Sequence, residues 1–317
     1  MTDITTKRSL SSDSSLPAST GFRSLLVPLD LTPSSDRVLG RLSLLPLADD
    51  ARLTLLHVVP ASLPPTEQQS AAHDAKKALA DEAQHLRKLL PKKVRIEPLV
   101  KLGTPAREIT AGASKVKAEL IVMGRGGGRA LRDTFLGSTA ERVVRQARIP
   151  VLSVRPPPRM VYSRPALALD LDPIAHEAVR FMLRVLPSSR SRVAVIHAFD
   201  DPYQGLIYRS FSEDEAQQRR DELCSNATHE LEGLLATALA KAKIRPEDEP
   251  IWKTHVRYGP PRVVVEKALK NAEADLLVVG TRGYSGAAYA FLGTVSGELL
   301  RAARCDVLIV PPVPRRK

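Results

Sequence analysis

A glycine pattern occurs twice in this chain at a fixed separation, and that constrains the fold more than any other feature. Gly124, two residues, Gly127, nine residues and Gly137 recur as Gly280, Gly283 and Gly293. From Gly124 to Gly280 is 156 positions, as it is from Gly137 to Gly293 and from Gly103 to Gly259. Further upstream the separation is 140, from Asp30 to Asp170 and from His57 to His197. The chain is therefore a tandem duplication whose second copy carries 16 extra residues between His197 and Gly259. A period this long describes two domains and not a solenoid. At 317 residues, each copy is long enough to bury its own core.

Each glycine pattern follows a short apolar run, Leu120–Met123 or Leu276–Val279. Such a run reads as a strand buried on both faces of a parallel sheet. Gly280 and Gly283 release the chain into a turn and leave room for a ligand near the main chain. A helical segment then starts at Gly293-Thr294-Val295-Ser296 and runs through Glu298–Ala303. Thr294 and Ser296 are residue types that cap a helix N-terminus. Free amides and the positive end of the helix dipole together suit a phosphate group.

The rest of each copy repeats one order. In the first, strands are predicted at 22–29, 52–59, 94–100, 120–123 and 149–154. Helices follow Thr32-Pro33-Ser34-Ser35, cover about 67–90 and 106–116, and close over 140–147. In the second, strands are predicted at 165–169, 192–199, 251–257, 275–279 and 306–310. Strands alternating with helices at this spacing imply a parallel sheet with right-handed crossovers. Residues 1–21 are a Ser/Thr-rich tail without hydrophobic period, expected to be disordered. Domains are assigned to 22–156 and 164–312, joined by a stiff Pro-rich linker at 157–163, with a basic tail at 313–317. The 16-residue excess falls near Asp200–Glu249. It contains Tyr203, Tyr208 and Phe211, and reads either as a lid or as a lengthened surface helix over 213–243.

The paired Gly-x-x-Gly, nine residues, Gly-Ser/Thr patterns resemble the nucleotide loop of the universal stress protein family, and the resemblance covers both copies. It implies an α/β fold of two tandem Rossmann-like open parallel sheets, five strands each in the order 3-2-1-4-5, with helices on both faces. It also implies an ATP- or adenine-nucleotide-binding regulatory protein of the stress response, with ATP as ligand, with or without Mg2+. In the second copy Asp170 would face the ribose or adenine side, and Ala198 would meet adenine through its main chain. Gly280, Arg282, Gly283, Gly293, Thr294, Val295 and Ser296 would surround ribose and phosphates. In the first copy Asp30, Val58, Gly124, Gly127, Gly137, Ser138 and Thr139 match. Ala140 stands where Ser296 stands, which removes a hydroxyl, and Gly126 and Gly128 loosen the loop. Arg125, Arg129 and Arg132 could still attract phosphate, so occupancy of that copy stays open. The alternative for either loop is a mere strand-to-helix connection. By the same resemblance the halves pair along their fifth strands, Val151–Val154 and Val307–Val310, as a pseudo-dimer, and whole chains could pair again as a homodimer.

Other candidates read as structural. His57 and His197 end equivalent strands without a carboxylate or second histidine at ligand spacing, so packing is expected. Asp200-Asp201 beside Pro202 reads as a turn. Neither Cys224 nor Cys305 has a local cationic setting. No Walker lysine loop, nucleophile elbow, metal cage or catalytic base is identifiable, so any ATP hydrolysis would be slow. The two cysteines lie in one copy only and give no shared disulfide framework, which fits a reducing cytoplasm. No apolar run approaches the roughly 20 residues of a membrane span, and no signal segment is visible. The expectation is a cytoplasmic protein without a membrane partner. The formal charge of +12 favours anionic partners without choosing among them. A nucleic-acid-associated or interaction module that binds no nucleotide is the rival class. Aromatics are only 4% of the chain, too few for a base-stacking surface, so no specific nucleic acid is expected.

Overall fold

The structure is a computed structural model, described here over residues 21–33, 35–126, 138–172, 175–186, 191–199, 212–244, 249–281 and 292–312. The first half runs β1 (Phe22–Pro28), α1 (Ser35–Leu42), β2 (Leu47–Pro60), α2 (Pro65–Leu89), β3 (Arg95–Gly103), α3 (Pro105–Lys115), β4 (Leu120–Gly124), α4 (Ser138–Gln146) and β5 (Val151–Val154). The second runs β6 (Pro165–Ala168), α5 (Ala175–Val185), β7 (Arg192–Phe199), α6 (Glu213–Ala242), β8 (Ile251–Tyr258), α7 (Pro261–Asn271), β9 (Leu276–Gly280), α8 (Thr294–Ala302) and β10 (Asp306–Val310).

All ten strands form one sheet in the order β3-β2-β1-β4-β5-β10-β9-β6-β7-β8. Each half contributes the expected 3-2-1-4-5 arrangement of parallel strands. The halves join where β5 meets β10 antiparallel, with Val151, Leu152 and Ser153 opposite Ile309, Leu308 and Val307. Leu152 and Leu308 are repeat equivalents, 156 positions apart, and they face each other. The pseudo-twofold axis of the duplication therefore passes between them. This is the fifth-strand pseudo-dimer expected from the sequence.

Period-two alternation places successive strand residues on opposite faces. Leu25, Val27, Val122 and Leu276 meet Val38, Leu79, Val179 and Leu231 of α1, α2, α5 and α6 on one side. Leu26, Ile121 and Leu277 meet Ile109, Val143, Val265 and Leu300 of α3, α4, α7 and α8 on the other. The apolar runs are thus consumed on both faces. Gly103 (φ +154) and Gly259 (φ +134) turn the third strand of each half into the following helix. A Cβ at Gly103 would come within 2.7 Å of the Glu108 side chain.

The largest departure from the sequence reading is at the start of the second strand. Strand β2 begins at Leu47 and not at Arg52, because Leu47 pairs with Phe22 before an irregularity shifts the register to Ser24 opposite Arg52. The exposed Asp49-Asp50 within that stretch hid it from the hydrophobic pattern. Helix α6 has 30 residues against 25 for its counterpart α2, so part of the insertion does lengthen a helix. Its remainder, with Tyr203, Tyr208, Phe211 and Asp200-Asp201, lies outside the described residues.

Candidate functional site

In the second half the carboxyl ends of β6, β7 and β9 open into a cleft of about 530 Å³, within the range of small-molecule pockets. It lies at the switch point of an open α/β sheet, between the first and fourth strands. Asp170, Ala198, Gly280, Gly293, Thr294, Val295 and Ser296 all line it. Arg282 and Gly283 lie outside the described residues. Ile196, Val265, Leu292 and Leu299 supply apolar walls.

Local chemistry explains how each side is held. His197, 5% exposed, donates from Nδ1 to the Leu169 carbonyl at 2.9 Å and fixes the chain where β6 ends. His57 does the same for Leu29 at 2.8 Å in the first half. Both histidines are structural ties, as expected from their isolation. Asp170 accepts from the Leu171 amide at 3.1 Å, while Asp172 Oδ1 accepts from the Ala175 amide at 3.2 Å and caps α5. Asp172 also lines the cleft and was missed by the sequence reading. Its signal was available: it stands 140 positions after Thr32, another cap-forming residue ahead of a helix.

The start of α8 differs from the expected cap. Gly293 is the N-cap and offers no side chain. The Ser296 hydroxyl instead donates to the Gly280 carbonyl at 2.8 Å, stapling the end of β9 to the first turn of α8. Its proton is therefore committed within the loop. The amides of Thr294, Val295 and Ser296 accept no such duty. They belong to the first turn, whose N–H groups lack intrahelical acceptors, and they have no protein acceptor among the described residues. Amides at a helix start, beside a glycine-ended strand and an apolar wall, can receive the anionic end of a ligand whose other end is apolar.

The first half places its matching residues on equivalent elements. Asp30 follows β1, Val58 is near the end of β2, Gly124 ends β4, and Ser138 and Thr139 open α4. Gly127, Gly137, Gly128, Arg129 and Arg132 lie outside the described residues. Asp30 Oδ1 accepts from the Thr32 amide at 3.2 Å, the Thr32 hydroxyl at 2.8 Å and the Ser35 hydroxyl at 3.0 Å, so it organises the start of α1. Ala140 is 1% exposed and cannot form the Ser296 type of staple. The Arg125 guanidinium donates to the Arg301 carbonyl at the end of α8, where the helix dipole favours a cation. Arg155 donates to the Leu300 and Arg301 carbonyls beside it. Among the described residues no group of three or more His, Cys, Asp or Glu is arranged to hold a metal ion.

The sequence model of the universal stress protein family matches residues 21–155 and 162–311. The chain belongs to the universal stress protein family. Its two matched segments make it a tandem member. It is 31% identical over 197 residues to universal stress protein Rv2005c of Mycobacterium tuberculosis, covering 61% of this chain. That match spans 62% of the relative's own length. Universal stress protein Sll1388 of a Synechocystis species is 28% identical over 159 residues, which are 48% of this chain and 99% of that relative. A whole relative of that size thus corresponds to about half of the tandem chain. The crystal structure of a universal stress protein from Archaeoglobus fulgidus superposes with a TM-score of 0.65 at 18% identity, covering 91% of this chain and 98% of that one. At that identity the likeness establishes the shared fold alone.

Proposed function

We propose that the second half binds an adenine nucleotide, ATP in the first instance, and that the chain acts as a nucleotide-responsive regulatory protein of the stress response. The observation that carries this reading is the meeting of Asp170, Ala198, Gly280 and Gly293–Ser296 around one cleft of about 530 Å³. The residues present fit such a ligand. The free amides of α8 suit phosphates, Asp170 suits a ribose hydroxyl, and the walls of Ile196 and Val265 suit a base. Any Mg2+ would arrive with the nucleotide, held by its phosphates, since carboxylates are sparse in the cleft. The first half is the weaker site in this reading. Turnover is not part of it: the carboxylates among the described residues of the cleft, Asp170 and Asp172, accept from the Leu171 and Ala175 amides.

Location in the cytoplasm belongs to the same reading, supported by Cys224 and Cys305 being free thiols. Among the described residues no helix is long and apolar enough to cross a membrane. Pairing of whole chains into a homodimer is a further part, to be tested by sedimentation. The deciding experiment identifies the nucleotide released when the purified protein is heat-denatured, followed by calorimetric titration with ATP. Gly283→Val should put a branched side chain into the loop and remove most binding. Unchanged ATP affinity in that variant would exclude the assigned site.

A further inference from the structure

A second cavity, about 700 Å³, opens between β8 and the outer flank of α7, and none of its lining residues lines the nucleotide cleft. Its walls carry Arg164, Arg192, Lys253, His255, Arg257 and Lys267. Lys253, His255 and Arg257 alternate along β8 and so point to one face of the sheet. Arg192 on β7 starts the neighbouring strand on that face, with Ala194 opposite Lys253 in register. Arg192, Lys253, Arg257 and Lys267 form no ion pair among the described residues, whereas Arg164 meets Glu273 at 3.1 Å.

The duplication supplies an internal control. The positions equivalent to Lys253, His255, Arg257 and Lys267 in the first half are Glu97, Leu99, Lys101 and Ala111, and Arg52 and Ser24 stand for Arg192 and Arg164. There Arg52 is neutralised by Glu97 at 3.4 Å. In the second half the same edge has lost its carboxylate and gained cations. The fold does not require this change, since the first half builds the same strand and helix without it. Edge strands often carry a lysine that blocks pairing with another sheet. That explains one cation on β8, but not Lys267 on the facing helix or the loss of the partner of Arg192.

We propose that this cavity is a binding site for a small organic compound bearing several phosphate groups, held by Arg192, Lys253, Arg257 and Lys267. The cations extend over four residue steps of β8, roughly 13 Å at about 3.3 Å per residue, which one isolated phosphate cannot span. Guanidinium forks at two positions suit phosphate oxygens in bidentate geometry. Ala194, Val264 and Ala268 give the cavity an apolar floor for an uncharged part of the ligand. The concave shape and the volume suit a small molecule and not a flat polymer track.

The His255 imidazole reports on the site. Desolvation, then Lys253 and Arg257, hold its pKa below the ordinary imidazole range. Arg164, Arg192 and Lys267 line the same cavity. A phosphate ligand would offset these cations and move the titration midpoint of His255 upward.

The test is calorimetry of the full chain with inorganic tripolyphosphate at about 0.15 M salt, where loose surface attraction is screened within about 8 Å, alongside NMR titration of His255. We expect Lys253→Glu, which restores the carboxylate of the first half, to weaken binding at least roughly tenfold, the scale of one charge-assisted contact. The same charge reversal at Lys101→Glu, in the first half, should leave it unchanged. His255 should titrate at higher pH with tripolyphosphate and should not respond to orthophosphate at equal concentration. Lys253 is exposed and Lys101 half-buried at the edge of the sheet, and circular dichroism of both variants, expected to match the wild type, checks that neither disturbs the fold. Equal loss in Lys101→Glu, an unmoved His255, or orthophosphate binding as tightly as tripolyphosphate would each overturn the proposal. So would single-stranded DNA binding through Lys253 with no retention of tripolyphosphate. Failure of ATP to bind the cleft would leave these readouts intact, since the two sites share no residue.

Discussion

Arg41 in the first half and Asp306 in the second form a buried ion pair, Nε to Oδ2 at 2.9 Å, across 265 positions of sequence. Around it the Tyr162 hydroxyl donates to the same carboxylate oxygen at 2.8 Å and the Arg155 amide donates to Oδ1 at 2.8 Å. The Arg41 guanidinium also lies 4.1 Å from the Tyr162 ring centroid. The duplication gives a reciprocal contact: Arg184 of α5 lies 4.3 Å from the ring of Phe22, the repeat equivalent of Tyr162, and pairs with Glu119 at 3.1 Å. Each half thus sends an arginine from its first helix region to the aromatic residue at the start of the other. The carboxylate lock itself is one-sided, since the equivalent of Asp306 is Pro150.

Arg41→Met should therefore destabilise the folded chain by about 3–5 kcal/mol at neutral pH, because it leaves a buried carboxylate without its counter-charge. Burial already raises the Asp306 pKa above the usual carboxylate value, against the opposing pull of Arg41 and its hydrogen bonds. A raised folded pKa favours the protonated form. Its contribution to stability is full below the unfolded carboxylate pKa and is lost as pH rises through the folded one. The deficit of Arg41→Met should accordingly shrink on acidification toward the ordinary carboxylate range. Urea denaturation of both proteins at several pH values measures this, and a deficit that grows toward acid would contradict the assignment.

Leu152 and Leu308, both fully buried, carry the seam of the sheet. Leu152→Ala should cost about 2–5 kcal/mol through lost burial and a residual cavity. The loss should appear as reduced cooperativity between the halves in hydrogen exchange. A change below about 0.5 kcal/mol, the level of ordinary surface substitutions, would show that the halves do not depend on this contact.

The strands and the duplication were legible in the sequence because both-face burial leaves short, nearly pure apolar runs and because the halves repeat at fixed offsets, whereas the strand order and the seam came from the family resemblance. The cleft was legible for the same reason: Gly280, Gly293 and Asp170 sit at element ends that the pattern locates. The lock was not. Asp306 opens an apolar strand beside Cys305, and nothing local says that its partner is 265 positions away. The Ser296 staple was misassigned because a serine near a helix start is usually read as a cap, while its true acceptor is a strand-end carbonyl. The cationic cavity escaped because the residue before β6, alternate residues of an edge strand and its neighbour, and a helix gather there from four separate segments.

Burial pushes the Cys305 thiol up to about 12, with Asp306 adding to the shift. A thiol reagent at about pH 8, near the ordinary thiol pKa of about 8.5, should therefore modify half-buried Cys224 first. Cys305 should react only when the chain unfolds. Mass spectrometry of tryptic peptides against denaturant concentration distinguishes the two. Modification of Cys305 at the same rate as Cys224 under native conditions would mean that the start of β10 opens readily.

Under the proposed function the two halves should bind nucleotide unequally, and the staple gives the reason. Ser296 ties Gly280 to the first turn of α8, so the loop ends are held before any ligand arrives. In the first half Ala140 leaves the equivalent carbonyl, that of Gly124, without this donor, and the order must be supplied on binding. Ser296→Ala should cost about 1–3 kcal/mol in stability, the usual penalty for removing the partner of a buried polar group. It should also weaken ATP binding, by roughly tenfold if about 1.4 kcal/mol of loop ordering must then be supplied on binding. Ala140→Ser should strengthen the first half by the reverse argument, since it places a hydroxyl at the position equivalent to Ser296. Because the staple acts through the loop and not through the phosphates, AMP and ATP should lose affinity in similar proportion in Ser296→Ala. Titration of the full chain and both variants with each nucleotide tests this directly. A loss confined to ATP would instead make Ser296 a direct phosphate ligand, and equal affinities of the two halves in the wild type would refute the ranking.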